Sequence, residues 1–405
     1  MKSIYINDDI NKGIAYDWDL LRRDFAALGV PSHVYTPINC PFEKAHLFVN
    51  MSDRSVGKTT NWLLFGGCMH KRYGTILHYV RDRVDMIAPK ALKDLFSTII
   101  EHGYISKLTD GKYNSVYYRA RRWYYCYVDE NDEITEIAEK HFMFCCSIDE
   151  SMNLKSSYNC PHGDFILFDE FINPKYYVPN QFVYFCDLVK TIIRDRISPI
   201  IIFSANVIDK NSPYFNELEI YDIVQIMQQG ESRIIESSGG TSVFVEIVGK
   251  NIERQKRRSL VNKLFFGFKN PMLAAITGAD WAMKYYPHIP PVNKTLTREG
   301  EPVDYLTQNI YILYNTKTVR LDIVENEKRG LCAYVHWASV KDFYEDSFIF
   351  TAGEILDERY HFKFGGESPL AKFVWKLWKE NRFYYSKNDV GSFVESYINY
   401  CNKLK

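Results

Sequence analysis

AHLFVNMSDRSVGKTT, residues 45–60, reads as a short apolar run, a Ser/Gly loop and the start of a helix near Lys58. From Ser52 through Asp53, Arg54, Ser55, Val56, Gly57 and Lys58 to Thr59 the stretch fits G-x-x-x-x-G-K-[ST] everywhere except the first glycine, where Ser52 stands. The pattern carries chemistry only between a strand and a helix. There, backbone N–H groups of the loop and of the helix N-terminus face phosphate oxygens. Lys58 neutralises those oxygens, the Thr59 hydroxyl is placed to hold Mg²⁺, and Gly57 permits close backbone approach. A bare G-K-T also arises by chance after a turn, and the apolar run before it favours the phosphate reading here.

Outward from this stretch, apolar runs at residues 75–80, 142–147, 164–168 and 200–204 alternate with helical spacing, which predicts a parallel α/β sheet. Trp18, Leu20, Leu21, Phe25 and Leu28 have helical spacing, ended by Gly29-Val30-Pro31. Residues 115–127, with the turn Asp129-Glu130-Asn131-Asp132, read as a two-stranded insertion at a sheet edge. Near Gly230 the pattern changes: residues 237–241 form a loop, 253–263 are basic and helical, and Pro287, Pro290 and Pro291 break the chain. Strands at 309–314, 319–324 and 331–336 and helices at 370–381 and 389–402 then predict a separate small α/β domain. The expected division is 1–248 with an N-terminal extension of about 30 residues, a linker at 249–304, and 305–405.

Four apolar residues, Phe165-Ile166-Leu167-Phe168, end in Asp169-Glu170. A buried strand that delivers adjacent acids to its C-terminal end puts them where open parallel sheets bind ligands. Asp169 suits the Mg²⁺ shell and Glu170 suits a general base that polarises water; a solvated strand end is the bland alternative. The run at 200–204 leads to Asn206, either a sensor of phosphate or water or a turn residue. Arg194 and Arg196 flank Asp195 at a helix end, where one of them can stabilise phosphoryl-transfer charge from a neighbour or simply complement the helix dipole.

Fifty basic residues balance 50 acidic ones, so any nucleic-acid contact must be a local patch. Arg81, Arg83 and the Lys256-Arg257-Arg258 cluster are the candidates, with a solvated helix face as the other reading of the cluster. The nine cysteines contain no C-x-x-C pair and assemble no zinc site. With no apolar targeting core and no run near the roughly 20 residues of a membrane span, the expectation is a soluble, intracellular protein with reduced thiols.

Taken in order, Arg54 with Gly57-Lys58-Thr59, Tyr79-Val80-Arg81, Lys155-Ser156, Phe168-Asp169-Glu170-Phe171-Ile172, Tyr177-Val178-Pro179-Asn180, Arg194-x-Arg196 and Asn206 with Pro213-Tyr214-Phe215 resemble the DNA-packaging ATPases of small, protein-primed tailed phages. Thinner similarity runs through residues 253–258 and the last part of the chain. The resemblance implies a P-loop ATPase core of the additional-strand, catalytic-glutamate type, followed by a linker and a small RNase H-like domain that has lost nuclease activity. It implies ATP and Mg²⁺, with Ser52, Arg54, Ser55, Val56, Gly57, Lys58, Thr59 and Thr60 on the nucleotide and Thr59 and Asp169 on the metal. Lys58, Thr59 and Asp169 would bind the nucleotide in cis with Glu170 as the catalytic carboxylate, and Lys155 and Arg194 would act on a neighbour's nucleotide. It further implies double-stranded DNA as the cargo and a ring, a pentamer, on the portal of a prohead in the host cytoplasm. A scaffold RNA is left open. Asp322, the acid that the C-terminal strands offer, reads as a surface residue. Ser52 for the loop glycine and the longer N-terminus depart from the family pattern.

Rival readings are a helicase or nucleotide kinase on the same core, and a structural adaptor keeping a decayed loop. Intact Lys58, Thr59, Asp169 and Glu170 speak against the adaptor, and Ser52 slightly for it.

Overall fold

The computed structural model describes residues 15–52, 56–151, 160, 162–172, 180–194, 196, 199–206, 212–249, 286–287, 304–326, 330–353, 355–364, 366 and 368–403, with side chains left aside at 304–308, 326, 388, 402 and 403. The chain divides into two compact units, one holding a nine-stranded sheet and the other a six-stranded sheet. Arg54, Ser55, Lys155 and the Lys256-Arg257-Arg258 cluster lie outside the described residues, as does Tyr177-Val178-Pro179.

In the larger sheet the strands are β1 (Leu47–Ser52), β2 (Leu77–Arg81), β3 (Ser115–Arg119), β4 (Arg122–Val128), β5 (Ile134–Ser147), β6 (Phe165–Asp169), β7 (Ile200–Asn206), β8 (Ser232–Glu236) and β9 (Ser242–Ile247). Their order is β3-β4-β5-β2-β6-β7-β1-β9-β8. From β5 to β9 every neighbouring pair is parallel, and antiparallel strands close both edges. The strand β7 lies between β1 and β6, so the loop strand and the acidic strand are not neighbours.

Alternation along β6 sends its side chains to two cores. Phe165 and Leu167 join the cluster beneath helix α2 (Lys58–Tyr73), where Trp62 and Phe65 meet Phe42 and Phe165. Gly66 is required in that helix, because a Cβ would stand 2.4 Å from Leu77 Cδ1. The preceding helix α1 (Trp18–Ala27), capped by Asp17 on the Leu20 N–H, adds Leu21 and Phe25 to the same core. On the other face Phe168 stacks with Phe185 of helix α3 (Gln181–Ile193), and Phe185 packs on Phe203.

Two expectations change. The edge insertion is a run of three strands, because the turn at 129–132 feeds β4 directly into the 14-residue β5. The chain after Gly230 also returns to the sheet: β8 and β9 form a hairpin, and β9 pairs with β1.

The smaller sheet holds β10 (Asp304–Tyr314), β11 (Lys317–Asn326), β12 (Gly330–Ala338), β13 (Phe348–Thr351), β14 (Tyr360–His361) and β15 (Phe383–Tyr385). The first three form an antiparallel meander, with the others added in parallel to give β14-β13-β10-β11-β12-β15. Helices α4 (Pro369–Lys379) and α5 (Asn388–Lys403) supply Val374, Leu377, Phe393 and Tyr397 to a core with Ile312, Leu321 and Val335. Asp322 is not a surface acid: it is 5% exposed, with one oxygen on Arg320 Nε at 2.9 Å and the other on His336 Nε2 at 3.0 Å. A mid-strand position between two long cationic or polar neighbours buries it.

Candidate functional site

Strand β1 is buried from Phe48 to Ser52, and the chain leaves it at the C-terminal edge of the parallel strands. Gly57 then takes φ +84°, and a Cβ there would meet Asn61 Nδ2 and Val34 Cβ at 3.3 Å. Glycine is thus demanded by both conformation and space. With no side-chain cap at Gly57, the first turn of the 16-residue α2 presents its N–H groups to the cavity above the sheet. The loop is braced from below, since the Tyr35 N–H donates to Val56 O at 2.8 Å and Asn61 Nδ2 donates to Tyr35 O.

Ser52 has a use that the glycine pattern lacks. Its buried hydroxyl accepts a hydrogen bond from the Lys58 ammonium, itself 6% exposed. The departure from the pattern therefore ties the lysine to the end of β1.

The acids arrive on β6, whose five residues are all buried. The Thr59 hydroxyl donates to the Asp169 carboxylate, 3.0 Å from one oxygen and 3.1 Å from the other, and the Tyr79 hydroxyl donates at 2.9 Å. Burial pushes the Asp169 carboxyl up, against the opposing pull of Arg81 and of the hydroxyls of Tyr79 and Thr59. Glu170 has φ +55°, a left-handed conformation that costs a residue with a Cβ on the order of 1–2 kcal/mol. The turn separates the partners of the adjacent acids. Asp169 engages Thr59 and Tyr79, whereas Glu170 accepts from Arg81 at 2.5 Å with about half of its side chain exposed.

Arg81 was expected among the DNA contacts; instead its guanidinium faces this site. It donates to the Tyr79 hydroxyl at 3.0 Å as well as to Glu170, and lies 3.9 Å from Asp169. Burial works against its charge, but Tyr79, Asp169 and Glu170 hold its pKa above the ordinary arginine value. Arg83, two residues on, pairs with Asp85 at 3.0 Å on a partly exposed surface.

Val56, Gly57, Lys58, Thr59, Thr60, Asp169, Glu170, Ser204, Ala205 and Asn206 line one cavity of about 410 Å³, within the range of small-ligand sites. Asn206 reaches it because β7 runs in register with β1, opposite Ser52. Sequence reasoning thus brought together Lys58, Thr59, Thr60, Asp169, Glu170 and Asn206, and missed Tyr79 and the site role of Arg81.

The two arginines after α3 part company. Arg196 is internal: it donates to the buried Asp164, to Cys160 O at 2.8 Å and to Ile192 O at 2.6 Å. Arg194 is exposed at the helix end. The other end of α3 is tied to the site edge, where Gln181 donates to Asp82 at 2.7 Å. Thirteen helical residues span about 20 Å, so Arg194 stands well away from its own cavity.

No protein-family model matches the chain, and no curated protein matches it. Among solved structures it is similar to the Phi-28 gp11 DNA packaging motor, at 16% identity and a TM-score of 0.50, over 93% of this chain and 99% of that one. It is also similar to the bacteriophage Phi-29 viral genome packaging motor assembly, at 15% identity and a TM-score of 0.52, over 91% of this chain and all of the other. At such identities the likeness is one of fold, and it spans both sheets.

Proposed function

We propose that this chain is the ATP-hydrolysing subunit of a motor that drives double-stranded viral DNA into a preformed prohead. The observation that carries this reading is the convergence of a helix N-terminus, Lys58, Thr59, Asp169 and Glu170 on one cavity. Its fold-level likeness to two packaging motors, over nearly the whole chain, supports the choice among P-loop functions.

The residues fit a magnesium nucleotide. The Thr59 hydroxyl and the Asp169 carboxylate already meet at one point beside the lysine. Those two would hold Mg²⁺, which supplies charge neutralisation to the phosphates when bound. Lys58 and the N–H groups of the first turn of α2 grip the β- and γ-phosphates. Glu170 orients the attacking water and accepts its proton, once the carboxylate has left Arg81. Asn206 faces the γ-phosphate and that water. The position of β7 between β1 and β6 supports the additional-strand class of these ATPases.

In this reading residues 1–248 form the motor domain, 249–304 the linker, and 305–405 an RNase H-like domain without nuclease activity. The pairing of both Asp322 oxygens with Arg320 and His336 supports that loss. Arg194 and Lys155 act on a neighbour's nucleotide in a pentameric ring docked on the portal. Arg83, Lys256, Arg257 and Arg258 are the proposed DNA contacts, and the host cytoplasm is the proposed setting.

ATP turnover by the purified protein, with and without long duplex DNA, tests the reading. DNA should stimulate hydrolysis without strand separation, and Lys58→Ala should weaken nucleotide binding itself. Binding without any turnover would favour a structural adaptor, and strand separation a helicase.

A further inference from the structure

Side chains two apart on a strand share a face. Tyr79 and Arg81 of β2 therefore stand on the face that carries Leu167 and Asp169 of β6, since Tyr79 lies opposite Leu167 in the parallel register. Tyr79 is 1% exposed and its ring joins the core beneath α2. Its hydroxyl stands between two groups of opposite charge. It lies 2.9 Å from Asp169 Oδ2 and 3.0 Å from Arg81 Nη1, while those two atoms are 3.9 Å apart. A guanidinium has only donors, so the Tyr79 oxygen accepts from Arg81 and its single hydrogen goes to Asp169. Burial, and then Asp169, push the phenol well above its ordinary range, so that hydrogen stays in place.

The charge-assisted bond of a guanidinium to a carboxylate is about 2.7–2.9 Å long, so Arg81 stops about 1 Å short of one with Asp169. The needs of the guanidinium do not hold it there. Its buried Nε has no hydrogen-bond partner among the described residues, and Asp169 is far more buried than the Glu170 that Arg81 engages. What lies between is the phenol oxygen. Resting on the phosphate-loop reading above, we propose that Tyr79 is a positioning residue that insulates Asp169 from Arg81. It keeps the carboxylate open to the divalent cation of a magnesium nucleotide and leaves the guanidinium to Glu170. Without the hydroxyl, Arg81 closes on Asp169 as a direct ion pair, and the cation must compete with a fixed internal charge. A tyrosine that merely fills the core acts through its ring and gives no dependence on Arg81.

Calorimetric titration with ADP, across Mg²⁺ concentrations and in EDTA, reads the metal requirement without any turnover. Tyr79→Phe keeps the ring and should raise the Mg²⁺ concentration that half-maximally tightens ADP binding. The rise should be roughly tenfold or more, the scale of one hydrogen bond to a charged group, with binding in EDTA unchanged. In an Arg81→Met background the same substitution should shift that concentration by less than about threefold, because no guanidinium is left to close. This second comparison stands even if Tyr79→Phe alone fails to fold around a stranded guanidinium, since the double variant strands none. A tenfold cost in the Arg81→Met background would make the hydroxyl a simple donor to Asp169, and no cost in either background would make Tyr79 a core residue; each result overturns the insulating role. A parent that binds no ADP at any Mg²⁺ concentration would overturn the phosphate-loop reading, and this inference with it.

Discussion

Two arginine–carboxylate pairs lie at the two ends of β6, and they differ in what surrounds them. After its last residue, Glu170 pairs with Arg81, and the side chains are 53% and 15% exposed. Before its first residue, Asp164 pairs with Arg196, at 0% and 7%. The lower pair is sealed: the remaining nitrogens of Arg196 go to Cys160 O and Ile192 O, and the Tyr16 hydroxyl reaches Asp164 at 3.4 Å. Burial still pushes the Asp164 carboxyl up against the pull of Arg196, so the pair exists to neutralise a buried acid. The upper pair borders the cavity, and its carboxylate can turn into that cavity at little desolvation cost. The same two chemical groups are sealed inside the fold at one end of a strand and border a cavity at the other.

The largest expected effect concerns Arg194, two residues before the arginine of the sealed pair and exposed at the helix end. In the proposed ring, Arg194→Ala should lower turnover on the order of 10³–10⁵-fold with nucleotide affinity retained. Mixing these subunits with Glu170→Gln subunits should recover part of the activity, at interfaces that combine one intact residue from each. Co-assembled mixtures that show no recovery would assign Arg194 a role within its own chain. Next in size, Arg196→Ala strands the buried Asp164 and should cost about 3–5 kcal/mol of stability. A urea midpoint close to that of the parent would show that the lower pair is not sealed after all.

What the sequence disclosed follows from this contrast. Strands β1, β6 and β7 are legible because strands covered on both faces appear as unbroken apolar runs. Asp169 and Glu170 stand out because they end such a run. The hairpin of β8 and β9 escaped because β8 is largely exposed and Glu246 interrupts the apolar pattern of β9. The turn between β3 and β4 gave no signal either, since Ala120 and Arg121 take positive φ without the usual glycine or asparagine. The strands β13, β14 and β15 have four, two and three residues, too few for a period to show. Arg81 looked like a free cation at a strand end; only the spatial neighbours Tyr79 and Glu170 make it part of the site. Arg194 and Arg196 are separated by one residue, and the choice between them depends on Asp164, 32 positions earlier in the chain.

The smallest expected effect on stability belongs to the upper pair, where the effect on chemistry is nevertheless large. Glu170→Gln preserves shape and leaves an amide oxygen for Arg81, but removes the group that can accept a proton from water. Turnover should fall roughly 100-fold or more, the scale of a lost general base. Nucleotide affinity should stay near that of the parent, because Lys58, Thr59 and Asp169 are untouched. An ion pair with a half-exposed carboxylate contributes little, so the urea midpoint should move by the equivalent of about 1 kcal/mol or less. Parental turnover in this variant would remove Glu170 from the chemistry. A stability loss as large as that of Arg196→Ala would instead make the two ends of β6 alike, and Arg81 a structural residue.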